Sequence, residues 1–289
     1  MLSRRTLLAA SAVWAGARSS PAVAADGVRE RLADLERRSG GTLGVAILDS
    51  GSGAVTGHRL DELFPLCSTH KVLSATFVLA RVDAGREQLD RRVVYGPEVV
   101  IPYSPITKQH ADGTGMTLAE LCAAAVAVSD NTAANLLLGS FGGPAALTAY
   151  FRETGDTVTR LDRTEPDLNE ARRGDTRDTT TPRAMAGLLR TAVLGSGLSE
   201  GSRARLQGWM GDCQTGLRKI RAGVPVDWRV GDKTGSGGGT RHASNDVAVL
   251  WRPGGRAPLV VAAYTIDTVG DDAGRDATLA EVGRITAAL

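Results

Sequence analysis

Several short stretches of the 289-residue chain carry side chains whose types and spacing could do chemistry. In "FPLCSTHKVLSATFVLA", Phe64 to Ala80, Ser68 and Lys71 lie three apart. They open a segment in which Leu73, Phe77 and Ala80 recur at helical spacing and Pro65 suits a helix entrance. Residues three apart on a helix share a face, so the Ser68 hydroxyl would lie within reach of the Lys71 amine. Free N–H groups at the helix start would favour developing negative charge. That is the chemistry of an activated nucleophile, although the pair alone equally suits a capping serine and a solvated lysine.

Two further stretches are polar where the surrounding pattern is apolar. "AVSDNTAANLLL" breaks at Ser129, Asp130 and Asn131, short residues that make a tight turn through local side-chain bonds. "VGDKTGSGGGT" puts Lys233, Thr234, Gly235 and Ser236 at the end of a strand, where glycine lets a ligand approach the backbone. Its spacing is not that of a phosphate-binding loop. Between them runs Arg160 to Pro182, a charged segment without hydrophobic periodicity; loops this long in a compact domain are usually functional or disordered. It contains Glu165-Pro166, a candidate rigid turn, and Arg163 and Asp178, which could pin its ends together.

The elements that must position these residues follow from pattern and punctuation. A helix is expected over Val28 to Arg38, then a hairpin of "TLGVAILD" and "AVTGHRL" around "SGSG". Three more strands are expected in "WRVGDKTGS", "NDVAVLW" and "LVVAAYTID", and a last helix from about Ala277 to Leu289. The middle reads as helical: Thr117 with Glu120 forms a capping box, and Thr181-Pro182 opens another helix with proline at its first position. Strands at both chain ends around a helical middle imply an α/β (α+β) fold. Its antiparallel five-stranded sheet is built from the two termini and flanked by helices, beside an all-helical subdomain, with the cleft between them. The expected division is residues 25–60 with 212–289 for the α/β part and 61–211 for the helical part.

Whole-chain properties bound the function. With 42% hydrophobic and 23% charged residues the composition is that of a soluble globular protein. "MLSRRTLLAASAVWAGARSSPAVAAD" reads as an export leader over residues 1–24, with an apolar run and the small-residue signal Ala22-Val23-Ala24. Its Arg4-Arg5 pair resembles a twin-arginine signal, which implies a periplasmic or secreted protein. Losing the leader removes Arg4, Arg5 and Arg18 and no acidic residue, taking the formal charge from +2 to −1. That near-neutral balance gives no support for nucleic acid or an anionic membrane as partner. Cys67, Cys122 and Cys213 lack paired metal-ligand spacing, so no metal site is read, and all three are expected reduced.

Ser-x-x-Lys, Ser-Asp-Asn and Lys-Thr-Gly occur here in that order, with a glutamate-bearing loop between the last two. The combination resembles the serine penicillin-recognising enzymes, and "EPDLN", Glu165 to Asn169, resembles the omega loop of class A β-lactamases. The resemblance covers essentially the whole chain beyond the leader and implies the following roles. Ser68 attacks the lactam carbonyl, and Lys71 or Glu165 takes its proton. The N–H groups of Ser68 and Ser236 form the oxyanion hole. Ser129 passes a proton to the lactam nitrogen, Asn131 binds the acyl side-chain amide, and Lys233, Thr234 and Ser236 receive the substrate carboxylate. Tyr103 forms an aromatic wall and Asp130 is structural. Glu165, with Asn169 holding a water, hydrolyses the acyl-enzyme.

The resemblance further implies no cofactor, a monomer, and penicillins and cephalosporins as substrates. A second carboxylate-binding cation is expected at Lys219, with Arg218 and Arg275 as rivals. Some members bridge a cysteine beside the nucleophile to one after Lys-Thr-Gly; Gly237 stands at that second position here, so no disulfide is expected. His70 is read as packing or touching solvent beside the site. A D-alanyl-D-alanine carboxypeptidase and a non-turnover β-lactam sensor share the three short motifs, but neither needs Glu165 and Asn169.

Overall fold

The computed structural model describes residues 21–289, and side chains from residue 26 onward. The export leader expected at residues 1–24 therefore falls almost wholly outside the described residues. Helix α1 (Pro21–Ser39) leads into strands β1 (Thr42–Asp49) and β2 (Val55–His58), the hairpin around "SGSG". A two-residue strand β3 (Phe64–Pro65) and a 3-10 turn, Cys67–Thr69, precede helix α2 (His70–Asp83). Strands β4 (Arg92–Val93) and β5 (Met116–Thr117) come next, then helices α3 (Leu118–Ala127), α4 (Asn131–Phe141) and α5 (Gly143–Glu153). Beyond a long loop lie β6 (Thr179–Thr180) and helices α6 (Pro182–Val193), α7 (Glu200–Gly211) and α8 (Ile220–Gly223). The chain ends as β7 (Arg229–Gly237), β8 (Ala243–Trp251), β9 (Leu259–Ile266) and α9 (Asp272–Ala287).

Five strands form one antiparallel sheet in the order β2-β1-β9-β8-β7, so both chain ends contribute to it. Successive strand residues face opposite sides, and both sides are covered. Leu43, Val45 and Ile47 of β1, with Val261 and Ala263 of β9, pack on α1 and α9 through Leu32, Leu35, Leu279 and Val282. The alternate residues, among them Ala46, Leu48, Val260, Ala262 and Tyr264, join the core that runs through α2 and the other central helices. Double-sided burial explains why these strands read as near-continuous apolar runs.

Helix starts follow the caps in the sequence. Thr117 and Glu120 make the reciprocal capping box of α3, and Thr181 accepts from Ala184 N at the start of α6, with Pro182 at its first position. α9 begins earlier than periodicity indicated, because the Asp271 side chain caps Gly274 N. Pro65 corrects an expectation: instead of opening a helix it lies in β3, which pairs antiparallel with β6. Proline tolerates this short edge pairing because its missing N–H removes no interior ladder bond. The pairing ties the segment before Ser68 to the end of the long loop.

Candidate active site

The turn that carries Ser68 is clamped from several sides. Leu66 N donates to Asp178 O at 2.8 Å, and Asn245 of β8 donates through Nδ2 to Pro65 O at 2.9 Å. Behind it lies Gly235 of β7, where a Cβ would come 3.1 Å from Leu66 O and 3.2 Å from Cys67 Cβ. Glycine at 235 thus lets the sheet edge press against the turn that carries Ser68. Cys67, Tyr103, Ser129 and Asp178 all adopt left-handed backbone at φ 44°, 61°, 62° and 55°. Each costs on the order of 1 kcal/mol or more for a non-glycine residue, and such strain collects at functional sites.

The long loop is packed rather than solvated where it matters. Glu165, Leu168 and Asp178 are buried, and the Glu165–Pro166 peptide is cis. Arg163 Nε donates to Asp178 Oδ2 at 2.6 Å, while Asp178 Oδ1 accepts from the backbone N–H of Asp162 and Arg163, joining the two ends of the loop. Asn135 of α4 fixes the Glu165 backbone from both directions: its Oδ1 accepts from Glu165 N at 2.9 Å and its Nδ2 donates to Glu165 O at 2.8 Å. Gly238 N donates to Asn169 O at 2.6 Å, tying the loop to the end of β7.

The Glu165 carboxylate is the hub of a buried network. Oε1 accepts from Ser68 Oγ at 3.2 Å and lies 3.0 Å from Lys71 Nζ; Oε2 accepts from Asn169 Nδ2 at 2.5 Å. Sequence spacing put the Ser68 hydroxyl on Lys71, but among the described residues it donates to Glu165 instead. The reason is geometric: Ser68 sits in the 3-10 turn ahead of α2, while the Lys71 ammonium is drawn to Asn131 Oδ1 at 2.6 Å and Ser129 O at 2.8 Å. Of the two readings of His70, packing holds and solvent contact does not. It is wholly buried, with Nε2 3.6 Å from Glu165 Oε1.

Burial pushes the Glu165 carboxyl upward, but the His70 imidazole and the Lys71 cation outweigh it and hold the group far below the usual carboxylate range. Burial lowers Lys71 against the opposing pull of Glu165. Lys233, desolvated and facing the Lys71 charge, is brought down to about 7. The Cys67 thiol is pushed up to about 12 by burial and by the Glu165 charge, so it supplies no thiolate nucleophile.

Ser129 stands between the two lysines, with its Oγ accepting from Lys233 Nζ at 2.9 Å and from Lys71 Nζ at 3.4 Å. Asp130 caps α4 through Ala133 N and accepts from Ile106 N, Thr107 N and Thr107 Oγ1, which fixes the turn without facing the cavity. Asn131 spends its Nδ2 on Pro102 O, so both its amide atoms hold the site together. Ser68, Tyr103, Ser129, Asn131, Asn169, Lys219, Thr234, Gly235 and Ser236 line one cavity of about 350 Å³. An adjoining cavity of about 580 Å³ shares Tyr103, Lys219 and Ser236. Lys219 is buried and donates to Ser244 Oγ at 2.8 Å, whereas the Arg218 side chain is 80% exposed and Arg275 lines the adjoining cavity but not this one.

A family model described as the β-lactamase enzyme family matches residues 27–288. The chain belongs to that family. A carbapenem-hydrolysing β-lactamase (KPC) from Klebsiella oxytoca is 46% identical over 98% of this chain and 96% of its own length. β-Lactamase CTX-M-8 from Citrobacter amalonaticus is 50% identical over 83% of this chain and 81% of its own. Among solved structures, an ancestral class A β-lactamase superposes with a TM-score of 0.87 at 58% identity, covering 89% of this chain and 98% of that one. The fold of this β-lactamase family member is therefore that of class A.

Several groups around the cavity of this class A chain escaped the sequence reading. Asn135 had a signal in its spacing, four residues after Asn131 and so on the same helical face. Thr215, 2.6 Å from Thr234 through the two hydroxyls, had none. A Cβ at Gly237 would lie 2.9 Å from Cys67 Sγ, which puts the missing cysteine of the family's bridge at this position; Cys67, Cys122 and Cys213 are all unpaired.

Proposed function

We propose that this site hydrolyses the β-lactam amide of penicillins and cephalosporins through an acyl-enzyme on Ser68. The observation that carries the reading is the 3.2 Å approach of Ser68 Oγ to a buried, ionised Glu165 carboxylate that also lies 3.0 Å from Lys71. Glu165, with Lys71 beside it, takes the hydroxyl proton as Ser68 Oγ attacks the carbonyl. The Ser68 and Ser236 N–H groups receive the oxyanion, and Ser129, held by two lysine donors, hands its proton to the departing lactam nitrogen; Lys71 relays the proton held on Glu165 to Ser129, which leaves Glu165 ionised again. The substrate carboxylate meets Lys233, Thr234, Ser236 and, as second cation, Lys219. Water then attacks the ester with its proton accepted by Glu165, and as the Ser68 Oγ–acyl bond breaks that proton passes to Ser68 Oγ, freeing the enzyme. The buried, unpartnered Asn169 Oδ1 supports a second hold on that water.

The proposal extends to the chain as a whole. A helical half, residues 61–211, and an α/β half, residues 25–60 with 212–289, meet at the cavity. A twin-arginine leader over residues 1–24 directs export, to the periplasm or the medium, as a monomer that confers β-lactam resistance. The deciding assay mixes purified protein with a chromogenic cephalosporin in excess. Many turnovers per chain are expected; a single stoichiometric burst would instead mark a sensor that stays acylated.

A further inference from the structure

The mechanism above leaves one buried group of the site unused. His70, the first residue of α2, is wholly inaccessible to solvent. Its Nδ1 lies 3.2 Å from Ser74 Oγ, one turn further along the helix. Its Nε2 lies 3.6 Å from Glu165 Oε1, too far for a full hydrogen bond, and has no other partner. A buried polar atom left so is uncommon in a folded protein, and this one faces the carboxylate that primes water.

We propose that His70 is a positioning residue for Glu165: its Nε2–H is directed at Oε1, the negative oxygen selects that tautomer while Ser74 completes it by donating to Nδ1, and the contact keeps the carboxylate ionised and aligned after Ser68 is acylated. The inference rests on the acyl-enzyme reading above.

A neutral imidazole has one N–H and one lone pair. Burial lowers the His70 pKa; Glu165 opposes this, while Lys71 and Lys233 reinforce it, so the ring is neutral at working pH. A proton on Nδ1 would turn the Nε2 lone pair onto a negative oxygen. A proton on Nε2 turns a donor onto it, and the Ser74 hydroxyl, able to donate or accept, then donates to Nδ1. Only the second arrangement satisfies both ends of the ring. In the free protein Oε1 already receives Ser68 Oγ at 3.2 Å and Lys71 at 3.0 Å. Acylation consumes the Ser68 O–H, leaving His70 as the neutral donor nearest to that oxygen at the step where Glu165 must act as base.

Other titratable groups face the same cluster: Lys71 from α2, Lys233 from β7, the neutral Cys67 thiol from the Ser68 turn and, beside Lys71, Asp130 ahead of α4. Each is unchanged by a substitution at position 70 and so bears on parent and variant alike.

Two measurements test the proposal. Nitrogen-15 NMR of histidine-labelled, unsubstituted protein should report the Nε2–H tautomer at His70; the Nδ1–H tautomer would overturn the assignment. The pH profile of kcat on a chromogenic cephalosporin gives the second. His70→Phe keeps a ring but no donor, and the acid limb should move up by about one pH unit, the size of one lost hydrogen bond to a charged acceptor. His70→Gln, which retains an N–H at similar reach, should bring the limb back toward that of the parent. Superimposable Phe and parent profiles, or a Gln profile displaced as far as that of Phe, would contradict the role. Should His70→Phe not fold, the tautomer decides alone. Absence of any hydrolysis by the unsubstituted protein counts against the function, while the tautomer still reports on the His70–Glu165 contact.

Discussion

At the scale of residues, the site concentrates charge where water is excluded. Lys71, Lys233 and Glu165 are buried together, and their interactions there are far stronger than at a surface. Each is usable because it is partnered: Lys71 by Glu165, Asn131 and Ser129, and Lys233 by Ser129 and the Thr234 carbonyl. Lys219 differs, since its ammonium has Ser244 within hydrogen-bond reach and Asp276 only at 3.8 Å, which leaves it free to turn to a carboxylate in the cavity. Lys219→Ala should therefore raise KM for carboxylate-bearing β-lactams about tenfold with a smaller change in kcat, the pattern of a lost binding contact. Steady-state rates over several drugs check this. An unchanged KM would pass the role to Arg275, which lies in the adjoining cavity.

At the scale of elements, the loop that bears Glu165 is held by a few strong ties rather than by regular structure. The Arg163–Asp178 pair is the central one, and the Asp178 side chain is 1% exposed. Arg163→Ala strips a buried carboxylate of its cation, and a loss on the order of 3 kcal/mol is expected, read from urea unfolding. Turnover should fall further than acylation, because the loop carries Glu165, the base proposed for deacylation. An equal loss in both steps would contradict that division. Thr117→Ala, by contrast, removes only the α3 cap and should cost about 1 kcal/mol with turnover intact. A cap loss that also halted catalysis would mean that α3 bears on the site directly.

The same elements explain what was legible beforehand. The sheet strands were readable because apolar runs and turns are local signals, as were the Thr117 and Thr181 caps. β3 and β6 were not, because two-residue strands have no period and exist only through each other. The Ser68–Glu165 contact spans 97 positions, and His70 looked peripheral because nothing local tells that α2 begins by facing the loop. What spacing misjudged was which partner Ser68 and Pro65 would find, a matter decided by tertiary packing.

At the scale of the whole molecule, a sheet made from both termini and a helical middle bring residues 68, 129, 165 and 233 into one contact network, of which residues 68 and 129 line the cavity. Export is the first consequence to check: the intact mass of the secreted protein should correspond to a chain beginning at Ala25, and a species retaining Arg4 and Arg5 in the periplasm or medium would contradict cleavage there. The central claim is that one carboxylate turns an acylated serine back into a free enzyme. It is tested most directly by mass spectrometry of Glu165→Ala after brief exposure to a penicillin. A persistent adduct of one opened drug per chain, mapped to the peptide at Ser68, is the result the account predicts. An adduct on Cys67, or no adduct while hydrolysis continues, would contradict it.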